Sequence, residues 1–119
     1  MEMTKQYTIL AVDDEPFNLE ILEELLEDDY EIKTAENGQI CIDTIKDIQP
    51  DLILMDVNMP ILNGLETCQQ LKEDFEVSNI PVIFVSALST TEEKMAGYKV
   101  GGEDYITKPF DEDELLAKI

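Results

Sequence analysis

Leu52-Ile53-Leu54-Met55 is apolar at every position, with Pro50-Asp51 before it and Asp56 directly after it. As a strand, such a run has no polar face and must be covered on both sides. Strands buried on both faces belong to parallel sheets sandwiched between helices, which rules out most all-β and all-α architectures. Polarity returns at Asp56, and Met59-Pro60-Ile61-Leu62-Asn63-Gly64 then breaks the pattern, so Asp56 opens onto a loop. Open α/β sheets place their ligands at the carboxyl ends of central strands. Asp56 is thus either a site residue or a turn cap, and this segment alone leaves the two level.

The rest of the chain alternates around that strand. Tyr7 to Val12 is a β-rich run stopped by Asp13-Asp14-Glu15, and Pro16 suits a first helical position. Phe17, Ile21, Leu22, Leu25 and Leu26 form one helical face, with Glu20, Glu23, Glu24 and Glu27 opposite. Tyr30 to Ala35 predicts a second strand and Asn37-Gly38 a turn; Cys41, Ile42, Ile45 and Ile48 mark a helix that Pro50 ends. Leu65, Cys68, Leu71 and Phe75 give a third helix, and Ile80 to Val85 a fourth strand. Ser86-Ala87-Leu88-Ser89 leads to a helix from Thr90 to Val100, closed by Gly101-Gly102. Tyr105 to Thr107 is a brief fifth strand ended by Lys108-Pro109. Asp111, with Glu114 three residues on, caps a last helix whose apolar face is Leu115, Leu116 and Ile119. Alternation of five strands with five helices implies an α/β fold: a doubly wound parallel sheet with right-handed crossovers. Residues 1–119 make one domain. Its last helix lacks a closing signal, which predicts that the domain is the front portion of a longer protein or is cut at a domain edge.

The chain carries 28 acidic and 8 basic side chains, the latter all Lys, and no His, for a net charge of −20. Counterion release at nucleic-acid phosphates needs clustered Lys and Arg, so direct nucleic-acid binding is not expected. The absence of His excludes His-dependent Ser or Cys triads. No apolar run reaches the length of a membrane span and Met1 to Lys5 holds no signal-peptide core, so a cytoplasmic location without membrane contact is predicted. Cys41 and Cys68 lie on apolar helical stripes and read as buried thiols.

Each parallel strand delivers its end to the same sheet edge. Asp13 and Asp14 follow the first strand, Asp56 the third, Ser86 the fourth and Lys108 the fifth; the second contributes only Ala35. Three carboxylates, a hydroxyl and an ammonium converge there. Hard oxygen donors in that number suit Mg²⁺. Unscreened, the carboxylates would repel and raise one another's pKa. A cation and Lys108 relieve this and present positive charge to a phosphoryl group.

The ordered set Asp13-Asp14, Asp56-Val57-Asn58-Met59-Pro60 with Gly64, Ser86-Ala87, and Tyr105-Ile106-Thr107-Lys108-Pro109-Phe110 resembles the receiver domains of two-component response regulators, the CheY-like superfamily. The resemblance spans Thr8 to the end of the chain. It implies the flavodoxin-like (βα)5 fold with strand order 2-1-3-4-5 and a cis Lys108–Pro109 bond. It implies that Asp56 accepts a phosphoryl group from a sensor histidine kinase or phosphotransfer protein. Asp14, Asp56 and the Asn58 backbone carbonyl would ligate Mg²⁺ (Mn²⁺ able to substitute), with Asp13 acting through water. Ser86 and Lys108 would bind phosphoryl oxygens, and Tyr105 would be the switch aromatic. The fourth helix, fifth strand and fifth helix would form the face that controls an output domain, a downstream partner or a phosphorylation-dependent homodimer. Ser86 stands where Thr is commoner in such domains, and the fifth helix is short.

Taken singly, the residues have plainer readings. Asp13 or Asp14 could cap the first helix, Ser86 the fourth, and Tyr105 could be packing. Among whole-chain alternatives, a docking-only receiver is disfavoured by the intact acidic, hydroxyl and Lys set. An aspartyl-phosphate hydrolase needs a carboxylate two residues after its nucleophile, where Asn58 stands, and a substrate cap. Flavin binding needs hydroxyls and glycines where this chain has Asp13-Asp14-Glu15.

Overall fold

The structure, a computed structural model, describes residues 7–87, 90–109 and 111–119. Strands β1 (Thr8–Val12), β2 (Glu31–Ala35), β3 (Leu52–Asp56), β4 (Val82–Ser86) and β5 (Asp104–Thr107) alternate with five helices. These are α1 (Pro16–Leu26), α2 (Gly38–Ile48), α3 (Gly64–Lys72), α4 (Thr91–Lys99) and α5 (Glu112–Lys118). All strand pairs are parallel, in the order β2-β1-β3-β4-β5. The flavodoxin-like expectation holds. Leu88, Ser89, Phe110 and the first residues Met1 to Lys5 lie outside the described residues.

Side chains alternate across the pleat, so each strand feeds both layers. Leu10, Val12, Ile53, Met55, Val82, Phe84 and Tyr105 face one way and pack on Cys41 and Ile45 of α2 and Cys68 and Leu71 of α3. Ile9, Ala11, Leu52, Leu54, Ile83, Val85 and Ile106 face the other way, against Leu19, Leu22 and Leu26 of α1 and Leu115 of α5. Burial of each large aliphatic or aromatic side chain contributes about 1.5–3 kcal/mol. Double-sided cover explains why β3 and β4 are buried at all five positions while edge strand β2 buries only Ala35.

Three local expectations are revised. Phe17 is 68% exposed and Leu19 takes its place, because the stripe against the sheet runs Leu19-Leu22-Leu26 at spacings of three and four. Phe75 is 95% exposed, since α3 ends at Lys72 before that position can turn inward. Asn37-Gly38 is no turn: Asn37 caps α2 by accepting from the Ile40 N–H at 2.9 Å, and Gly38 opens the helix. At the last helix, Asp111 accepts from the Asp113 and Glu114 amides as expected, while the Glu114 carboxylate pairs with Lys118 at 3.6 Å.

The end of α4 follows the glycine expectation. Gly101 adopts φ 104°, and the Gly101 and Gly102 N–H groups donate to the Tyr98 and Gly97 carbonyls at 3.0 and 2.9 Å. That is the paired C-terminal motif that a left-handed glycine permits.

Candidate functional site

Register decides which side chains meet. Val12 pairs with Met55, Met55 with Phe84, and Phe84 with Tyr105. One residue further along β1 and β3 are Asp13 and Asp56, which leave the sheet edge side by side. Asp13 is 2% exposed and Asp56 is 6% exposed, whereas Asp14 is more open to solvent. One carboxylate oxygen from each of Asp13, Asp14 and Asp56 lies within 4.8 Å of the others.

Lys108 enters from the end of β5, where the Lys108–Pro109 peptide is cis. Its Nζ lies 2.9 Å from Asp13 Oδ2 and 3.4 Å from Asp56 Oδ1. The other Asp13 oxygen accepts from the Glu15 N–H at 2.9 Å. Burial pushes the Asp56 carboxyl up to about 6, and the charge of Asp13 adds to that; Lys108 opposes the rise without cancelling it. For Lys108, burial alone would lower the pKa, but the hydrogen bond to Asp13 and the charge of Asp56 outweigh it and the net shift is upward. Mutual repulsion in a half-dry crevice, only partly relieved by one ammonium, is an electrostatic setting that favours a divalent cation. The donor set is all hard oxygen, which fits Mg²⁺ or Mn²⁺ better than softer metals.

The plain capping roles do not apply. Glu15, without a side-chain cap bond, precedes α1, and Thr90 caps α4 by accepting from the Glu93 N–H at 3.2 Å. Ser86 is instead fully buried at the end of β4, and its backbone carbonyl accepts from the Lys108 N–H at 2.8 Å. Phe84 and Ser86 share a face of β4, and Tyr105 pairs with Phe84, so the Tyr105 ring lies along that face. It packs on Phe84 with centroids 6.4 Å apart, and its hydroxyl is hydrogen-bonded to the Ser86 side chain. Burial raises the Tyr105 pKa and that hydrogen bond opposes the rise. Tyr105 is thus buried and meets the site through Ser86.

The loop after Asp56 is anchored at both ends. The Gly64 N–H donates to the Val57 carbonyl at 2.8 Å, and a Cβ on Gly64 would overlap the Asp56 carbonyl oxygen. Asn63 and Glu66 form a reciprocal capping box, with bonds of 2.9 and 3.2 Å. Between the anchors, Asn58 is exposed and Ile61 takes φ 72°. Gly38 and Thr67, which back this loop, carry no motif signal: a glycine after Asn reads as a turn and a threonine between Leu65 and Cys68 as an ordinary helical residue. The acidic run at Glu23, Glu24, Glu27, Asp28 and Asp29 stays apart from the crevice on the solvent side of α1 and the turn after it.

A doubly wound sheet with three carboxylates and an ammonium at its carboxyl edge defines the CheY-like class. The family model described as "Response regulator receiver domain" matches residues 9–119, and the chain belongs to that family. Protein PilH of Pseudomonas aeruginosa is 41% identical over 112 residues, covering 93% of this chain and 93% of PilH. The response regulator ArlR of Staphylococcus aureus is 40% identical over 112 residues, covering 93% of this chain and 50% of ArlR. The chemotaxis protein CheY4 of Vibrio cholerae superposes with a TM-score of 0.90 at 28% identity, covering 96% of each chain. The chain spans half or less of the length of ArlR and several other curated relatives. Among the described residues no helix is long and apolar enough to cross a membrane.

Proposed function

We propose that this receiver domain is a phosphorylation-operated switch whose acceptor is Asp56. The observation that carries the reading is the pairing of Lys108 with both Asp13 and Asp56 inside a cluster of three carboxylates. An Asp56 carboxylate oxygen forms a bond to the phosphorus of a phosphohistidine on a sensor kinase or phosphotransfer protein. The phosphorus–nitrogen bond breaks, and its electron pair stays on the donor imidazole. The product is an acyl phosphate, formed once per molecule; no turnover of an external substrate is expected.

Asp13, Asp14, Asp56 and the Asn58 backbone carbonyl would hold Mg²⁺, with Mn²⁺ able to substitute. The bound cation would screen the carboxylates and neutralise charge on the incoming phosphoryl oxygens. Lys108 supplies a second positive charge from the opposite side. Ser86 supplies a hydroxyl donor, and its present bond to Tyr105 links the site to α4, β5 and α5. That face would control an output domain, a downstream protein or a phosphorylation-dependent homodimer.

The test is incubation with Mg²⁺ and acetyl phosphate, read by intact mass and peptide mapping. One labile phosphoryl group on Asp56 is expected, absent in Asp56→Asn and in wild type with excess chelator. Full labelling in either of those samples would remove Asp56 or the cation from the reading.

A further inference from the structure

The loop of residues 57–63, which carries the Asn58 carbonyl, rests against the start of α2. Gly38, the first residue of that helix, is buried, and a Cβ there would overlap Thr67 Oγ1 and stand 2.7 Å from the Leu62 carbonyl oxygen and 3.2 Å from Leu62 Cβ. Thr67 is fully buried, and its hydroxyl donates to the Asn63 carbonyl at 2.7 Å. Gly38 and Thr67 thus form a wall behind Leu62 and Asn63. A side chain at position 38 meets two kinds of neighbour. The Thr67 hydroxyl can rotate away at the loss of its bond to Asn63. The Leu62 carbonyl is backbone and can move only if the loop moves.

We propose that Gly38, backed by Thr67, is a positioning residue for the phosphoacceptor site: its missing side chain sets how close the 57–63 loop lies to the sheet, and hence where the Asn58 carbonyl stands beside Asp56. The inference rests on the reading of Asp56 and its loop as the phosphoacceptor and Mg²⁺ site. Geometry at such a site is demanding. Loss of groups that orient metal ligands commonly weakens metal binding 10–100-fold, and a displacement of about 1 Å can slow chemistry about 100-fold. Nothing in Gly38 itself touches cation or phosphoryl group; it acts through the loop.

The experiment compares wild type, Gly38→Ala and Ile45→Val by calorimetric titration with Mg²⁺ alone and by the rate of acetyl phosphate labelling. Ile45 is buried on the same helix, about two turns beyond Gly38, so Ile45→Val loosens α2 without adding atoms against Leu62. With circular dichroism unchanged, Gly38→Ala should raise the Mg²⁺ dissociation constant about tenfold and slow labelling, while Ile45→Val stays within about twofold of wild type. Mg²⁺ affinity within twofold of wild type in Gly38→Ala, or an equal loss in Ile45→Val, overturns the proposal. Should Gly38→Ala fail to fold, Thr67→Ala decides: removing the hydroxyl deletes its bond to the Asn63 carbonyl, which keeps only the bond from the residue 67 N–H, and empties the wall behind Leu62; Mg²⁺ binding should weaken at least threefold, and unchanged affinity overturns it. A wild-type chain that neither binds Mg²⁺ nor is labelled would instead refute the function proposed for the site.

Discussion

Lys108 lies closer to Asp13 than to Asp56, at 2.9 Å against 3.4 Å. The same ammonium is thus shared between a carboxylate already bonded to the Glu15 amide and one whose pKa is driven up to about 6. Asp14, on the open side of the cluster, is left to face solvent. Lys108 and a divalent cation are two countercharges for one set of carboxylates, and each should matter most when the other is missing.

Lys108→Met tests this directly, because Met keeps much of the aliphatic stem and deletes the charge. Removing one partner of a buried ion pair strands the other; at this partly hydrated edge the cost should be about 1–3 kcal/mol. The thermal midpoint in chelator should fall, and Mg²⁺ should raise it by more than it raises that of wild type. Equal Mg²⁺ increments in the two proteins would show that the ammonium and the cation do not share these carboxylates.

Asp56→Asn should stabilise the metal-free fold above neutral pH. The folded pKa of Asp56, about 6, exceeds the ordinary value of 3.8, so the folded chain holds the proton more tightly than the unfolded one. Its favourable contribution is complete below 3.8 and is lost as the pH rises through about 6. At pH 8 the ionised group opposes folding by roughly 2–3 kcal/mol. Urea denaturation in chelator should show a gain of that size for Asp56→Asn at pH 8 and about half of it at pH 5. A gain that is the same at both values would separate it from ionisation of Asp56.

How far the sequence led can be judged residue by residue. Strand identity was legible because the apolar runs around Leu54 and Val85 admit no half-exposed alternative, and their ends brought Asp56 and Ser86; strand order came from the resemblance to receiver domains, since apolar runs do not say which strands are neighbours. Helix faces were less legible. Phe17 fits a helical stripe as well as Leu19 does, and only docking of α1 on Ile9 and Ala11 selects the latter. Phe75 continues the spacing of Leu71 on paper, but the chain has left the helix by then. Gly38 and Thr67 were invisible as a pair because their contact spans two helices, and periodicity within one segment carries no information about it.

Ile61→Asn should raise stability without harming the site. Ile61 is a β-branched residue at φ 72° and is 78% exposed, so it bears left-handed backbone strain with little burial to offset it. Asn accepts that conformation more readily, and the expected gain is about 1 kcal/mol in urea denaturation. Labelling by acetyl phosphate should continue at a rate near that of wild type, since the loop anchors at Val57, Asn63 and Gly64 are untouched. A loss of stability would mean that the Ile61 side chain contributes contacts that its exposure does not reveal.

The switch itself should be visible as a contest for one hydroxyl. Ser86 is fully buried and already hydrogen-bonded to Tyr105. A phosphoryl group on Asp56 adds negative charge and strong acceptor oxygens one strand away. If the Ser86 hydroxyl turns to meet them, the bond to Tyr105 must be given up or rebuilt, and Tyr105 is held between Phe84 and the Gly97 segment of α4. The disturbance should therefore run through β5 into α4, where Met95 and Tyr98 are exposed, and on towards Leu116 of α5. Amide exchange with and without beryllofluoride and Mg²⁺ should change most between Thr90 and Ile119. In Tyr105→Phe, Asp56 should still be labelled, because the substitution leaves Asp13, Asp14, Asp56 and Lys108 in place, but the change in α4 should shrink. Perturbation centred on α1 and α2, with Tyr105 and its neighbours silent, would place the moving element elsewhere. So would a response in Tyr105→Phe identical to that of wild type, because a signal that ignores the hydroxyl cannot be passing through the Ser86 bond.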